Sequence, residues 1–360
     1  MIRRLLVAGI VLSAPAAAQT YDLIIRGGTL YDGNGGTPWV GDVAVEKGSI
    51  VAVQPRIAGT ARRIVEARGL AVSPGFIDPH THDMQSIRTV KGPFLDEQGL
   101  SQGITTVILG PDGQESPQSL QELISAARQQ GTSQNYGCYV GHNGIRAQVV
   151  GHAHRAATAA EMEQMKAQVR QGMVMGCVGL SAGLMYDPGM FSPPGEIVEL
   201  AKEVEPFDGI YDSHSRNPVT DFIGSELETA QIGIAAGIPA KLGHIKAVGL
   251  TNKGKSTELI DAVNALRAQG HEVVGDVYPY DGAAALSLQE LIIFPDQPDS
   301  HGLSNDQKQA KIAAALADPA ARAALQEASE QGLNNGFSWI KVGAYTASRI
   351  VVAPGRVVPA

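Results

Sequence analysis

The run Pro79-His80-Thr81-His82 puts two imidazoles at positions i and i+2. Alternate side chains of a strand share a face, so both rings would point the same way. At the carboxyl end of a strand in a parallel α/β barrel that face opens into the mouth, where such folds hold their active sites. Two neutral imidazoles there are a natural pair of metal ligands. The pair alone is a weak signal, because a second one, His152-Ala153-His154, lies in a polar stretch of the same chain.

Spacing strengthens it. A strand-helix unit takes ~30 residues. His82 to Asp112, Asp112 to His142 and His214 to His244 are each 30 positions apart, and each polar residue follows closely on an apolar, strand-like run. Candidate ligands therefore recur at one level, on strands 1, 2, 3, 5 and 6. His271 precedes its strand, His301 lies in a late loop, and His152 and His154 fall past a strand end. Solvated or structural roles are expected for those four. Imidazoles with a carboxylate suit zinc, one ion or two, although manganese or iron would also accept them. Zinc activates water and polarises a carbonyl, which is chemistry for hydrolysing an amide. Neither a phosphate-cradling glycine-rich loop nor a nucleophile elbow competes with this reading.

The elements that must position these residues alternate along the chain. Strand-like runs at 75–77, 104–109, 136–140, 178–182, 209–211, 239–243 and 272–277 are separated by stretches of helical period at 119–129, 160–172, 196–204, 226–236 and 257–269. Strict alternation means a parallel sheet of βα units. Seven strands are one short of a closed TIM-like (β/α)8 barrel, so an α/β barrel lacking strand 8 is expected over residues 70–360. An Ala-rich helical segment at 303–331 and a short apolar piece at 349–352 follow. Residues 19–69 read differently, as short strands at 22–25, 41–46 and 50–53 with Gly27-Gly28, Asp32-Gly33 and Lys47-Gly48 as turns. That is a small β module.

Composition agrees with a large hydrolytic domain. With 44% hydrophobic residues, 360 residues can bury a substantial core. The net charge of -8 and the scattered Lys and Arg argue against nucleic-acid binding, which needs a basic face. Arg3 and Arg4 precede an apolar stretch at 5–12, and Ala16-Ala17-Ala18 supplies a small-residue cleavage site. Residues 1–18 thus read as a signal peptide, too short to span a membrane, and the mature chain as secreted or periplasmic. The two cysteines, Cys138 and Cys177, each sit in an apolar strand-like stretch and are expected to be buried free thiols rather than a pair.

Longer runs make the assignment specific. The sequences from Tyr21-Asp22-Leu23-Ile24-Ile25-Arg26-Gly27-Gly28 and from Pro74-Gly75-Phe76-Ile77-Asp78-Pro79-His80-Thr81-His82 resemble the opening of the amidohydrolase superfamily. Gly103-Ile104-Thr105-Thr106-Val107, Gly183-Leu184-Met185-Tyr186 and Gly243-His244-Ile245-Lys246 resemble the D-aminoacylases, the N-acyl-D-amino-acid deacylases. The likeness runs from Tyr21 to about Ala284. It implies zinc-dependent hydrolysis of a small N-acyl-D-amino acid. His80 and His82 would bind one metal position, and His214 and His244 the other, more tightly held one. Tyr186 and Lys246 would help hold the substrate, with Tyr278 or Tyr280, and His142 would line the mouth, as a ligand or as a residue behind the ligands. The chain departs from that pattern twice. Asp112, in Gly110-Pro111-Asp112-Gly113, stands where the family has a cysteine ligand, as ligand or as an ordinary turn residue; Glu115 is the weaker substitute. The family's catalytic aspartate at the end of strand 8 has no counterpart, since the last aspartate is Asp318. The sequence therefore reads as C-terminally truncated. Two alternatives remain. One is a cyclic amidase or dipeptidase of the same superfamily, disfavoured because Gly179-Leu180-Ser181-Ala182-Gly183 has no lysine to carboxylate. The other is an inactive metal-binding fragment.

Overall fold

The computed structural model describes residues 20–248, 252–278, 292, 294–296 and 305–331. The expected signal peptide, the 349–352 segment, Tyr280 and His301 lie outside them. The chain divides into two compact units, Met1–Phe76 and Ile77–Ala360.

The first unit is one sheet of five strands: β1 (Thr20–Leu30), β2 (Trp39–Glu46), β3 (Ser49–Gln54), β4 (Thr60–Glu66) and β5 (Ala71–Val72). The order is β3-β2-β1-β4, with β5 also on β1. Lys47 and Gly48 both take positive φ, 50° and 76°, between partners Glu46 and Ser49. Two such residues give the tight hairpin turn whose twist matches the strands. Tyr21, Ile24, Ala44 and Ile57 form its core. β4 and β5, absent from the sequence reading, pair with β1 in parallel.

The second unit holds β6 (Phe76–Thr81), β7 (Ile104–Leu109), β8 (Asn135–Gly141), β9 (Gly179–Gly183), β10 (Ile210–His214), β11 (Ala240–Leu242) and β12 (Val273–Gly275). They form one seven-stranded sheet in sequence order, parallel from β7 to β12. The intervening helices are α1 (Met84–Thr89), α2 (Glu97–Ser101), α3 (Pro117–Gln130), α4 (His142–Val149), α5 (Ala159–Val174), α6 (Pro194–Ala201), α7 (Phe222–Ala236) and α8 (Ser256–Ala268). This is the curled half-barrel that strand-helix alternation dictates. The main core packs Leu109, Leu120, Leu123, Val140, Val169, Leu180 and Ile197 between sheet and helices. Parallel strands bring every carboxyl end to one rim, which gathers residues 30 positions apart. The Ala-rich segment is two helices, α9 (Asn305–Ala317) and α10 (Pro319–Gln331). Asp318 breaks it: its carboxylate accepts from the Ala320 N–H at 2.9 Å as a cap, and Pro319 takes the first helical position, where it needs no donor.

The cysteines correct the sequence reading. Cys138 in β8 and Cys177, just before β9, are joined as a disulfide with Cα atoms 4.6 Å apart. Tyr139 pairs with Gly179, so neighbouring parallel strands bring the two thiols together, which an inspection of each run alone does not show. The bridge closes a separation of 39 residues. Chain-entropy arguments assign such a loop about 4 kcal/mol. Urea unfolding with and without dithiothreitol should show a loss of ~3–4 kcal/mol on reduction; coincident curves would refute it.

Candidate metal centre

Asp112 anchors the rim. It lies in a turn, Pro111–Gly113, where Gly110, Asp112 and Gly113 have φ of 78°, 59° and 76°. Aspartate tolerates the left-handed region better than most residues. Ser181 of β9 tethers the turn: its hydroxyl donates to the Gly110 carbonyl at 2.6 Å and accepts from the Gly113 N–H at 3.1 Å. A side chain at Gly113 would collide with Asn143 and with the backbone of Ala182 and Gly183, so the turn packs close. The result is a buried carboxylate aimed inward.

Four imidazoles meet it. Asp112 Oδ1 lies 3.7 Å from His80 Nε2, 3.8 Å from His214 Nδ1 and 3.3 Å from His244 Nε2, and Oδ2 lies 3.6 Å from His82 Nε2. Ring centroids are 4.7 Å apart for His80 and His244, and 4.3 Å for His214 and His244. Two triads can each offer ligand atoms within 4.8 Å of one another: His80, His82 and Asp112, and Asp112, His214 and His244. Asp112 belongs to both. It is therefore a turn residue and a shared carboxylate at once.

The donor set fits a divalent cation. Both His80 ring nitrogens, Asp112 Oδ1, His214 Nε2 and His244 Nε2 are buried without a hydrogen-bond partner among the described residues. Each such atom costs ~1–3 kcal/mol unless something satisfies it. Protonation states agree. Burial pushes His80 down to about 3 and His214 well below the usual histidine value. Burial alone would raise Asp112, but the neighbouring His244, His214 and His80 imidazoles outweigh it and hold the carboxyl low. Neutral imidazoles around an ionised carboxylate are the forms that ligate metal.

The surrounding residues fall into three sets. The Tyr186 hydroxyl is 3.1 Å from His214 Nδ1, and Lys246 Nζ is 3.3 Å from His244 Nδ1 and 5.3 Å from the centre of the Tyr278 ring. Burial lowers Lys246 from the ordinary lysine value. The second set, which the sequence reading missed, is a buried ion cluster. Lys241 of β11 bonds Asp276 and lies 2.7 Å from Asp212 of β10. Burial would raise Asp276, but Lys241 outweighs it and keeps the carboxyl below its ordinary value. Asp276 also accepts from the His244 N–H. It follows β12 directly, 32 positions after His244, so the same spacing could have found it. The third set is separate. His142 is fully buried, and its Nε2 meets Glu196 Oε1 at 3.2 Å, beside the buried Arg146. Glu115 is held by Arg88 through two bonds of 3.0 and 2.7 Å. His152 pairs with Asp187, and His154 stacks on Phe191.

Glu226 of α7 lies under the rim. Ser215 donates to its Oε1 at 2.9 Å, while Oε2 has no hydrogen-bond partner among the described residues. Burial pushes its carboxyl up to about 7 from 4.5. A raised acid favours the fold in its protonated form, so this contribution is complete below pH ~4.5 and is lost as pH rises to ~7. The loss should be about 3 kcal/mol. Glu226→Gln should remove it, leaving the variant more stable than the parent at pH 8 and nearly equal at pH 4.5. Urea unfolding of both metal-free proteins across that range measures this, and parallel pH profiles would contradict it.

No protein-family model matches the chain. It is 30% identical over 300 residues to the D-aminoacylase of Alcaligenes xylosoxydans xylosoxydans, a match covering 77% of this chain and 61% of that protein. A solved D-aminoacylase with a binuclear metal centre, one metal activating and the second attenuating, aligns with a TM-score of 0.62 at 30% identity, over 72% of this chain and 59% of that one. The N-acyl-D-glutamate deacylase of Bordetella bronchiseptica, complexed with zinc and a phosphonate that mimics the tetrahedral intermediate, aligns with a TM-score of 0.65 at 28% identity, over 77% and 61%. The chain spans about three fifths of the length of the curated relatives it matches.

Proposed function

We propose that the protein is a D-aminoacylase-type amidohydrolase, as the similarity of three quarters of its length to D-aminoacylases supports, and that it hydrolyses the amide bond of N-acyl-D-amino acids with zinc. The observation that supports it most is the convergence of His80, His82, His214 and His244 on the single carboxylate of Asp112. His80, His82 and Asp112 would hold one ion, and Asp112, His214 and His244 the other. The chemistry zinc supplies when bound is activation of water and polarisation of the acyl carbonyl.

The chain's own residues do the rest. Asp112 gives both positions the negative charge that offsets a divalent cation. Tyr186, fixed against His214, presents a phenol to the acyl group. Lys246, with Tyr278 beside it, supplies the cation for the substrate's free carboxylate. A cyclic amidase with a carboxylated lysine on β9 is disfavoured, because that strand reads Gly-Leu-Ser-Ala-Gly and is buried throughout. The relatives named for D-aspartate and D-glutamate substrates make acidic side chains part of the range to assay.

The test is amine release from N-acetyl-D-methionine, N-acetyl-D-aspartate and N-acetyl-D-glutamate by zinc-loaded protein. The L-enantiomers and a hydantoin serve as controls. Turnover of a D-substrate alone supports the reading. Bound zinc without turnover of any substrate would favour the inactive metal-binding alternative, and turnover of the hydantoin alone the cyclic amidase.

We also infer an oxidising compartment, the periplasm in a diderm source. The Cys138–Cys177 disulfide supports it, since such bonds persist where thiols are not kept reduced. Cell fractionation tests it, and a cytoplasmic pool with reduced cysteines would reject it. Among the described residues no helix is long and apolar enough to cross a membrane.

A further inference from the structure

We propose that Asp276 is a positioning carboxylate for both candidate metal positions, fixing His80 through its outer ring nitrogen and His244 through its backbone. This rests on the zinc reading above. The two ring nitrogens of His80 face two different carboxylates. Nε2 is 3.7 Å from Asp112 Oδ1, and Nδ1 is 3.8 Å from Asp276 Oδ2. An imidazole that gives one nitrogen to a cation carries its proton on the other, and a carboxylate beyond that nitrogen selects the tautomer. At 3.8 Å the contact is longer than a hydrogen bond. The preference therefore comes from charge, in a site where the His80 side chain is 9% exposed.

Asp276 is itself firmly built in. The His244 N–H donates to its Oδ1 and Lys241 to its Oδ2. Its own N–H donates to the Leu242 carbonyl at 3.1 Å, and its carbonyl accepts from the Ile245 N–H at 2.9 Å. Side chain and main chain thus bracket His244, whose φ of 39° is unusual for a residue with a side chain. One residue from the first triad and one from the second are set by the same carboxylate.

The competing account is that Asp276 only neutralises Lys241. Asp212 separates the two: it shares Lys241 at 2.7 Å but makes no hydrogen bond to His80 or His244 among the described residues. Zinc affinity would be measured by competition with a chromophoric chelator on the full chain, for the parent, Asp276→Asn and Asp212→Asn. The visible spectrum of the cobalt-substituted proteins would be recorded alongside. Asp276→Asn should weaken zinc binding about 10- to 100-fold and shift the cobalt bands, as loss of an outer partner does. Asp212→Asn should leave both close to the parent. Equal affinity and spectra for Asp276→Asn and parent overturn the proposal, as does an equal loss in Asp212→Asn. Should Asp276→Asn fail to fold, the tautomer of His80 in the zinc-loaded parent decides by nitrogen-proton correlation NMR: Nδ1–H supports the proposal and Nε2–H overturns it. A parent that binds zinc with no effect of Asp276 sinks this inference alone; a parent that holds no zinc sinks the functional reading and this with it.

Discussion

Asp112→Asn should deplete both halves of the cluster of zinc and lower turnover by about a thousandfold. Its two oxygens lie 3.3–3.8 Å from all four imidazoles, and it is the carboxylate common to both triads. With His80 and His214 held neutral by burial, Asp112 is the one carboxylate in either triad among the described residues. Removing one partner of a desolvated charge pair costs ~3–5 kcal/mol, and about 4 kcal/mol is a thousandfold in affinity. Asparagine keeps the shape and tolerates the left-handed φ of 59°. The metal-free variant should melt somewhat lower than the parent at neutral pH, because the fold holds the Asp112 carboxyl below its ordinary value and gains from its ionised form, a contribution asparagine lacks. Metal analysis after dialysis, turnover and melting temperature together check this. Asp112→Cys adds a second arm: a thiolate at the same place should restore zinc that asparagine forfeits. If Asp112→Asn keeps both zinc and turnover, the residue serves the turn and nothing else.

The rim was legible because two periodicities coincide. A parallel βα unit consumes about 30 residues, and the polar residue that ends each strand is the one that reaches the mouth. His82, Asp112, His214 and His244 satisfy both conditions, and the structure brings them within one site. His142 satisfies the spacing but begins α4 directly, and that helix turns its ring to Glu196. No hydrophobic period marks α4 as a helix in the sequence, since it carries His, Asn, Gly, Arg and Gln in eight residues. Asp276 was overlooked for the opposite reason. Read as part of a strand over 272–277, it looks like an interior residue; the strand ends at Gly275 and leaves it on the rim. Lys241 and Asp212 are charged residues inside strands, where a hydrophobic reading expects none, and their justification is each other. The disulfide needed the register of β8 against β9. Spacing along a chain thus finds residues that repeat once per unit. Contacts across strands, or set by the first turn of a helix, need the three-dimensional pairing.

Lys246→Met should raise KM about a hundredfold while leaving zinc content intact. Lys246 Nζ lies 3.3 Å from His244 Nδ1, where an ammonium donates to a ring nitrogen. That bond requires the His244 proton on Nε2, the nitrogen that faces Asp112 at 3.3 Å. A ring offering Nε2 to a cation must carry its proton on Nδ1 instead, and an ammonium finds no acceptor there. Lys246 is then released from His244 while the Tyr278 ring remains beside it, and its donors turn to the anion a free amino-acid carboxylate provides. Losing the cationic partner of such a buried pair costs ~2–5 kcal/mol, the lower half of which is a hundredfold in KM. Because the carboxylate is remote from the amide, the loss falls on binding shared by ground and transition states, so kcat should change far less than KM. Methionine keeps the stem and its contact with Tyr278. Zinc should bind at least as tightly, since the variant removes a positive charge 3.3 Å from a ligand ring. Steady-state kinetics and zinc titration on one preparation separate the outcomes. A fall in zinc affinity with KM unchanged would make Lys246 a support for His244 and would leave the substrate carboxylate without its assigned partner.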